Sequence, residues 1–174
     1  MNLYLIGYRG SGKSTVAPLV ANALDWTFID TDREIVKLTG QSIQSTFEFD
    51  GQAVFREWEA TVIRAVSMRS RTVISLGGGA ILAESNRQTL QDTGWVVWLK
   101  AAAEVLHHRI QGDSNAKSSR PPLTELDSLM EIRTVLNERQ NFYAACADYT
   151  VEVDELTAIE AADLIVNRWQ SVDK

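Results

Sequence analysis

The sequence is poor in the features that mark secreted, membrane-spanning and nucleic-acid-binding proteins. Its single cysteine, Cys146, cannot form an internal disulfide, so we expect a buried small residue and a reducing, cytoplasmic setting. No apolar run approaches the roughly 20 residues of a membrane span, and Met1 leads almost directly into the first predicted strand, which leaves no room for a signal peptide. Basic residues number 17 against 23 acidic ones, and the formal charge of -6 argues against nucleic-acid and anionic-membrane partners.

Proline and histidine are also scarce. Of the three prolines, Pro121 and Pro122 lie together in a polar stretch at about 112–123 that has no hydrophobic periodicity. Loops of this length inside a compact domain are usually functional, so we expect a mobile lid there. The two histidines, His107 and His108, are neighbours on a predicted helix and point in different directions, which disfavours a metal site built on both.

What is present is the composition of an ordinary globular protein. Hydrophobic residues make up 45% and charged residues 23%, at a length that suits a single domain over residues 1–174. Strand signals alternate with helical spacing, which predicts a three-layer α/β/α sandwich with a five-stranded, mostly parallel sheet. The predicted strands are 3–6, 26–29, 72–76, 95–99 and 149–153. The main predicted helices are 16–24, 33–38, 51–68, 84–92, 101–110, 126–145 and 158–169.

A phosphate-binding motif follows the first predicted strand. Residues 7–15 read Gly-Tyr-Arg-Gly-Ser-Gly-Lys-Ser-Thr and satisfy the pattern G-x-x-x-x-G-K-[ST] in full. The glycines let the backbone wrap around a phosphate with its N–H groups pointing inward, the lysine reaches the outer phosphates, and the hydroxyl after it ligates Mg²⁺. We expect a nucleotide to bind Gly10, Ser11, Gly12, Lys13, Ser14 and Thr15.

Two carboxylates, Asp30 and Asp32, follow the second predicted strand, at the edge of the sheet where open α/β folds bind ligands. On an extended chain both would face one side, whereas a turn would fan them around a common centre. Mg²⁺ and a donor hydroxyl are natural occupants, because hard cations take carboxylate and water ligands and an attacking hydroxyl needs an acceptor. The alternative is a solvated turn, where aspartate is common.

Three consecutive glycines, Gly77, Gly78 and Gly79, follow the third predicted strand. Each glycine adds to the chain entropy lost on folding, and a close approach of backbone to a ligand is the usual compensation. The run therefore predicts a second binding surface, with a flexible turn as the alternative.

Three arginines are candidates for holding anions in this acidic protein. Arg56 lies on a predicted helix beside an apolar stripe, with Glu57 and Glu59 also off the stripe, and Arg139 lies on another helix. Arg56 and Arg139 could equally be solvated ion-pair partners of little energetic weight. Arg120 lies in the predicted lid, where an arginine can close onto a transferring phosphoryl group. The stripe is Val54, Phe55, Trp58, Val62, Ile63 and Val66, and all five tryptophans are expected to serve packing.

With these markers in this order, the chain resembles the shikimate kinases over nearly its whole length. The markers are the phosphate loop from Gly7, Phe28-Ile29-Asp30-Thr31-Asp32, Phe55-Arg56-x-x-Glu59, Ser75-Leu76-Gly77-Gly78-Gly79-Ala80, Arg120-Pro121 and Glu138-Arg139-x-x-x-Tyr143. That family has a fold like that of the nucleoside monophosphate kinases. It transfers the γ-phosphoryl group of ATP, with Mg²⁺, to the 3-hydroxyl of shikimate, in the route to chorismate and the aromatic amino acids. The resemblance implies the same activity here, in a monomer.

The resemblance also implies roles for individual residues. The implied catalytic residues are Asp32, Lys13 and Arg120, with Asp32 as the base or orienter of the attacking hydroxyl. Mg²⁺ would be held by Ser14 and Asp30. The ATP contacts would be the phosphate loop, Arg120 on the phosphates and Arg109 near the adenine. Helices at about 32–60 would bind the acceptor, whose contacts would be Asp32, Arg56, Gly77, Gly78, Gly79 and Arg139.

Two rival functions stay open at the level of sequence. A kinase of gluconate, of another small hydroxy acid or of a nucleotide would share the fold and the phosphate loop. That function would not explain why Asp-Thr-Asp, the triple glycine and Arg56 occur together in one sequence. A nucleotide-binding regulator without catalysis would be expected to have lost at least one of Lys13, Ser14, Asp30, Asp32 and Arg120.

Overall fold

The computed structural model of the chain describes residues 1–112 and 129–172. Its strands are β1 (Asn2–Ile6), β2 (Thr27–Asp30), β3 (Thr72–Ser75), β4 (Gly94–Lys100) and β5 (Tyr149–Glu152). Its α-helices are α1 (Lys13–Leu24), α2 (Thr31–Thr39), α3 (Ile43–Ser45), α4 (Gly51–Ser67), α5 (Glu84–Thr93), α6 (Ala103–Gly112), α7 (Leu129–Cys146) and α8 (Ala158–Val172). A π-helical turn (Thr46–Asp50) joins α3 to α4, and a 3₁₀ turn (Ala80–Leu82) precedes α5.

The five strands form one sheet in the order β2-β3-β1-β4-β5, and every pair of neighbours runs parallel. The predicted α/β architecture is confirmed, and each predicted strand lies within one residue of the observed one at both ends. All five residues of β1 are buried, because a central strand of a parallel sheet is covered on both faces. Within the described ranges, no helix has the length and apolar character needed to cross a membrane.

Helices pack on both faces of the sheet. Leu3 and Leu5 of β1 face a layer formed by α1 and α8, whereas Tyr4 and Ile6 face a layer formed by α4, α5 and α7. Successive residues of a strand point to opposite faces, so one strand contributes to both layers. Cys146 lies in the second layer and is buried, as predicted, and this burial raises the pKa of its thiol to about 11.

The apolar stripe predicted on α4 is wrong at two positions. Trp58 is 36% exposed, whereas Glu59, predicted to lie off the stripe, is 1% exposed. The buried face is formed by Phe55, Val62, Ile63 and Val66. At about 100° per residue, Glu59 falls near the centre of that face and Trp58 at its margin. The expectation that all five tryptophans serve packing therefore fails at Trp58.

The parallel strands bring their carboxyl ends to one edge of the sheet, and the loops that carry the predicted site follow β1, β2 and β3 at that edge. The register of the sheet aligns these ends, since Leu5 of β1 pairs with Ser75 of β3 and Asp30 of β2 pairs with the same serine. Residues far apart in the sequence therefore meet where open parallel sheets bind ligands.

Candidate active site

The phosphate loop after β1 has the strand, loop and helix context that its motif requires. Gly10 has φ 78°, and a Cβ there would lie 3.0 Å from Cγ1 of Ile110, so a side chain at this position would strain the backbone and crowd α6. The Lys13 side chain is buried, and its Nζ donates to the carbonyl oxygens of Gly7 at 2.8 Å and Tyr8 at 2.9 Å. The ammonium is thus held against the loop that would carry the phosphates.

A cavity of about 720 Å³ opens at the carboxyl edge of the sheet. Its size lies within the roughly 300–1,000 Å³ range of small-molecule sites. Of the predicted site residues, its walls include Gly10, Ser11, Gly12, Lys13, Ser14, Thr15, Asp30, Asp32, Gly78 and Arg109. The other described candidates lie outside those walls and are Arg56, Gly77, Gly79 and Arg139.

Asp30 and Asp32 occupy different structural positions. Asp30 ends β2 and caps α2, where its Oδ1 accepts from the backbone N–H groups of Asp32 at 3.0 Å and Arg33 at 3.3 Å. Its Oδ2 accepts from Ser14 Oγ at 3.1 Å. Asp32 belongs to the first turn of α2 and lines the cavity. The chain therefore turns between the two carboxylates, and they do not share one side of an extended strand.

The Ser14 hydroxyl and the Asp30 carboxylate fit a Mg²⁺ site. Both are hard oxygen donors, and they lie within hydrogen-bond distance at the start of α1. Residues 1–112 and 129–172 contain no group of three histidine, cysteine, aspartate or glutamate side chains that could hold a metal ion. Mg²⁺ commonly keeps several waters and takes other ligands from nucleotide phosphates, so a hydroxyl and one carboxylate are suitable protein ligands for it.

Arg56 is held by a buried carboxylate. Its Nη1 lies 2.6 Å from Oε2 of Glu59, one helical turn further along α4. Burial raises the pKa of the Glu59 carboxyl, while the charge and hydrogen bond of Arg56, and then the charge of Arg139, act to lower it. Glu59 Oε1 is buried and has no hydrogen-bond partner among the described residues. Arg56 thus forms an ion pair, but with a buried partner rather than a solvated one.

The triple glycine passes between the phosphate loop and Arg56. A Cβ on Gly78 would lie 3.3 Å from both the Gly7 carbonyl oxygen and the Arg9 backbone nitrogen. A Cβ on Gly79 would overlap the guanidinium of Arg56, 2.8 Å from its Cζ. These glycines allow a close approach to the phosphate loop and to an arginine, whereas the predicted approach to a ligand stays a prediction.

Arg139 contacts the same glycine loop from α7. Its Nη1 donates to the Gly78 carbonyl oxygen at 3.3 Å, and the Tyr143 hydroxyl donates to that oxygen at 2.6 Å. Both residues lie on α7, one turn apart. The structure therefore brings both predicted clamp arginines to the glycine loop, Arg56 at Gly79 and Arg139 at Gly78.

Three residues of the site received no role from the sequence. Glu59 and Tyr143 hold Arg56 and Gly78, as described above. Thr31 Oγ1 accepts from the Gly77 backbone N–H at 3.3 Å and donates to a carbonyl of β3, which ties the start of α2 to the glycine loop. All three residues belong to the sequence motifs quoted above, next to predicted site residues. Their presence in those motifs is the signal that could have identified them.

Arg109 lies on α6 and lines the cavity, with its Nη2 donating to the Val153 carbonyl oxygen at 2.7 Å. Leu156 and Thr157, from the segment before α8, also line the cavity. Arg109 therefore lines the cavity, while its predicted contact with an adenine stays a prediction. Arg120 lies outside the described residues, as does the predicted lid beyond Gly112.

The arrangement has two adjoining parts. One is a phosphate loop with a buried lysine and a hydroxyl-carboxylate pair suited to Mg²⁺. The other is a glycine loop flanked by Arg56 and Arg139, whose guanidinium groups suit a carboxylate. Asp32 lines the cavity as a carboxylate able to accept a proton or a hydrogen bond from a hydroxyl.

Comparison with known proteins gives a consistent result. The family model described as shikimate kinase matches residues 9–170. The shikimate kinase of Caldicellulosiruptor bescii is 40% identical over 166 residues, which cover 95% of this chain and 94% of that one. The shikimate kinase of Rhodopirellula baltica is 40% identical over 151 residues, covering 87% of this chain and 81% of that one.

Solved structures of shikimate kinases also resemble this chain. The shikimate kinase from Acinetobacter baumannii in complex with shikimate superposes with a TM-score of 0.90 at 34% identity, covering 98% of this chain and 93% of that one. A deoxyadenosine kinase from M. mycoides gives a TM-score of 0.64 at 16% identity, covering 99% of this chain and 100% of that one. The second likeness shows only a shared fold.

Proposed function

The chain belongs to the shikimate kinase family and is an ATP-dependent kinase, and we propose that it transfers the γ-phosphoryl group of ATP to the 3-hydroxyl of shikimate in the cavity described above. The observation that carries the proposal is the position of Gly78. Its backbone touches the phosphate loop, and its carbonyl accepts from Arg139, so a phosphate donor and a carboxylate-bearing acceptor would lie side by side.

The phosphate loop forms the donor half of the site. Its inward N–H groups and Lys13 would bind the phosphates of ATP, and Ser14 with Asp30 would hold Mg²⁺, in part through water. Mg²⁺ when bound would offset phosphate charge. Arg109 would contact the adenine, because it lines the cavity beside the segment before α8.

The acceptor half forms around the glycine loop. Arg56 and Arg139 would hold the shikimate carboxylate, since a guanidinium fork pairs with a carboxylate through two hydrogen bonds. The backbone at Gly77, Gly78 and Gly79 would meet the hydroxyls of the ring. Helices at about 32–60 would form the surrounding wall, in one domain that spans the chain.

Asp32 would orient the attacking 3-hydroxyl and accept its proton. It lines the same cavity as the phosphate loop, so a hydroxyl bound to it would face the γ-phosphate. Catalysis of phosphoryl transfer depends mainly on positioning the reactants and on compensating the charge of the transferring phosphoryl group. Lys13 and Arg120 would supply that positive charge.

A coupled assay of ADP release tests the proposal. With ATP and Mg²⁺ fixed, the acceptor is varied among shikimate, quinate, gluconate and nucleoside monophosphates. We expect shikimate to give the highest kcat/KM by at least about 100-fold. Preference for gluconate or a monophosphate would assign another kinase, and nucleotide binding without turnover of any acceptor would identify a non-catalytic protein.

Three further expectations remain proposals. We expect a monomer in the cytoplasm, and neither nucleic acid nor membrane as a partner. Size-exclusion chromatography with light scattering tests the first of these directly.

A further inference from the structure

Tyr143 and Arg139 share one acceptor, the carbonyl oxygen of Gly78. The tyrosine hydroxyl lies 2.6 Å from it and Arg139 Nη1 lies 3.3 Å from it, so the tyrosine makes the shorter contact. The two donors are four residues apart on α7 and lie on the same face of that helix. Gly78 lies against the phosphate loop. A group that fixes the direction of the Gly78 carbonyl therefore also fixes the orientation of the glycine loop relative to the phosphate loop.

The tyrosine is firmly placed. Tyr143 is 0% exposed, and its ring stacks on Trp98 with centroids 5.4 Å apart and an interplanar angle of 17°. Trp98 is a residue of β4 and pairs in the sheet with Ile6, the last residue of β1 before the phosphate loop. The sheet that positions the phosphate loop thus also positions the Tyr143 hydroxyl.

The direction of the Gly78 carbonyl determines the direction of the next amide. The described chain contains no cis peptide bond, and in a planar trans peptide the carbonyl and the following N–H point in opposite directions. A Gly78 carbonyl held toward α7 therefore turns the Gly79 N–H away from α7. This N–H belongs to the loop that, in our proposed function, meets the acceptor hydroxyls.

We propose that Tyr143 is a positioning residue for the acceptor substrate, which acts through the Gly78 carbonyl. Its hydroxyl satisfies that carbonyl, so the Gly79 amide keeps its direction and the remaining N–H groups of Arg139 stay available for an anion. The inference rests on the proposed function, because it names a residue that orders the same acceptor site.

The test replaces only the hydroxyl. Tyr143→Phe keeps the ring against Trp98 and removes the hydrogen bond to Gly78. We expect the KM for shikimate to rise about five- to tenfold, kcat to fall less, and the KM for ATP to change by less than about twofold. A direct titration of the protein with shikimate, without ATP, should show the same loss of affinity.

Tyr149→Phe is the matched control. The Tyr149 ring also stacks on a tryptophan, Trp95, with centroids 5.7 Å apart, but it stands at the first residue of β5, away from the carboxyl edge of the sheet. This variant should keep both KM values.

The outcomes separate the two proposals. A wild-type protein that does not phosphorylate shikimate overturns the proposed function. An active wild type with an unchanged Tyr143→Phe variant overturns only the positioning role. An equal rise in the KM values for ATP and shikimate also overturns the positioning role, and so does a Tyr143→Phe variant that does not fold. In either case the hydroxyl would serve the fold rather than the binding of the acceptor.

Discussion

The guanidinium of Arg56 fills the space that Gly79 leaves by having no side chain. A Cβ at Gly79 would lie 2.8 Å from both Cζ and Nη1 of Arg56. Glu59 holds the same guanidinium from within α4, at 2.6 Å. The position of this arginine is thus set by a missing side chain on one side and a buried carboxylate on the other.

Gly79→Ala should therefore displace Arg56. In the proposed function Arg56 holds the shikimate carboxylate, so displacing its guanidinium should raise the KM for shikimate by about tenfold or more, with the KM for ATP nearly unchanged. Steady-state kinetics with each substrate varied in turn checks this.

The double variant gives the control for that change. If Gly79→Ala acts by moving Arg56, adding it to Arg56→Ala should cost little further affinity, because contacting residues are not additive. Fully additive losses would contradict the mechanism and would point to a direct role of the Gly79 backbone.

Asp32→Asn should abolish turnover and leave nucleotide binding nearly intact. The amide keeps the size of the carboxylate but cannot accept a proton from the attacking hydroxyl, so kcat should fall by about 100-fold or more. Glu34→Gln, on the same helix and paired with Lys37, is the matched control and should keep full activity. Normal turnover by Asp32→Asn would remove Asp32 from the catalytic role.

Asp30 combines a structural and a proposed metal-binding role that two substitutions can separate. An asparagine still caps α2, whereas an alanine cannot, so Asp30→Ala should lose about 1 kcal/mol of unfolding free energy that Asp30→Asn retains. Both variants should need more Mg²⁺ for half-maximal rate, because both lack the carboxylate beside Ser14. Chemical denaturation and Mg²⁺ titrations of the rate measure the two effects. An unchanged Mg²⁺ requirement in both variants would exclude Asp30 from the metal site.

Glu59 should give the stability a distinct pH dependence. Burial raises the pKa of its carboxyl above the ordinary value of 4.5, so the folded state keeps this proton to higher pH than the unfolded chain does. Its contribution to stability is fully present below the unfolded-state pKa and is lost as the pH rises through the folded-state pKa. Since glutamine does not titrate, the stability of wild type relative to Glu59→Gln should decrease as the pH rises from the ordinary glutamate range.

Urea unfolding of both proteins at a series of pH values measures this difference. Glu57→Gln, an exposed position on the same helix, should follow the wild-type curve. A wild-type stability that increases with pH relative to Glu59→Gln would mean that the ion pair with Arg56 outweighs burial.

The sequence predicted the fold because its signals are local, and the motif on which the proposed donor half depends is local as well. The phosphate loop is one continuous motif, and β1 and β4 are apolar runs that suit central parallel strands. Periodicity failed at Trp58 and Glu59, because a helical stripe is read from residue types and cannot show that a buried carboxylate has an arginine partner. The acceptor half depends on distant pairs, such as Tyr143 and Gly78, which lie 65 residues apart. Only the resemblance to a family placed Arg56 and Arg139 together before the structure did.

The position of β1 has a consequence for the order in which the protein folds. β1 precedes β2, β3 and β4 in the sequence, yet its two neighbours are β3 and β4, so Leu5 pairs with Ser75 on one side and Val97 on the other. Pairings of such long sequence separation require the closure of long loops and form slowly. A nascent chain that ends before β4 leaves an open edge on the strand that carries the phosphate loop. The strand that carries the phosphate loop therefore gains its second neighbour only after β4 has been synthesised, about 90 residues later in the chain.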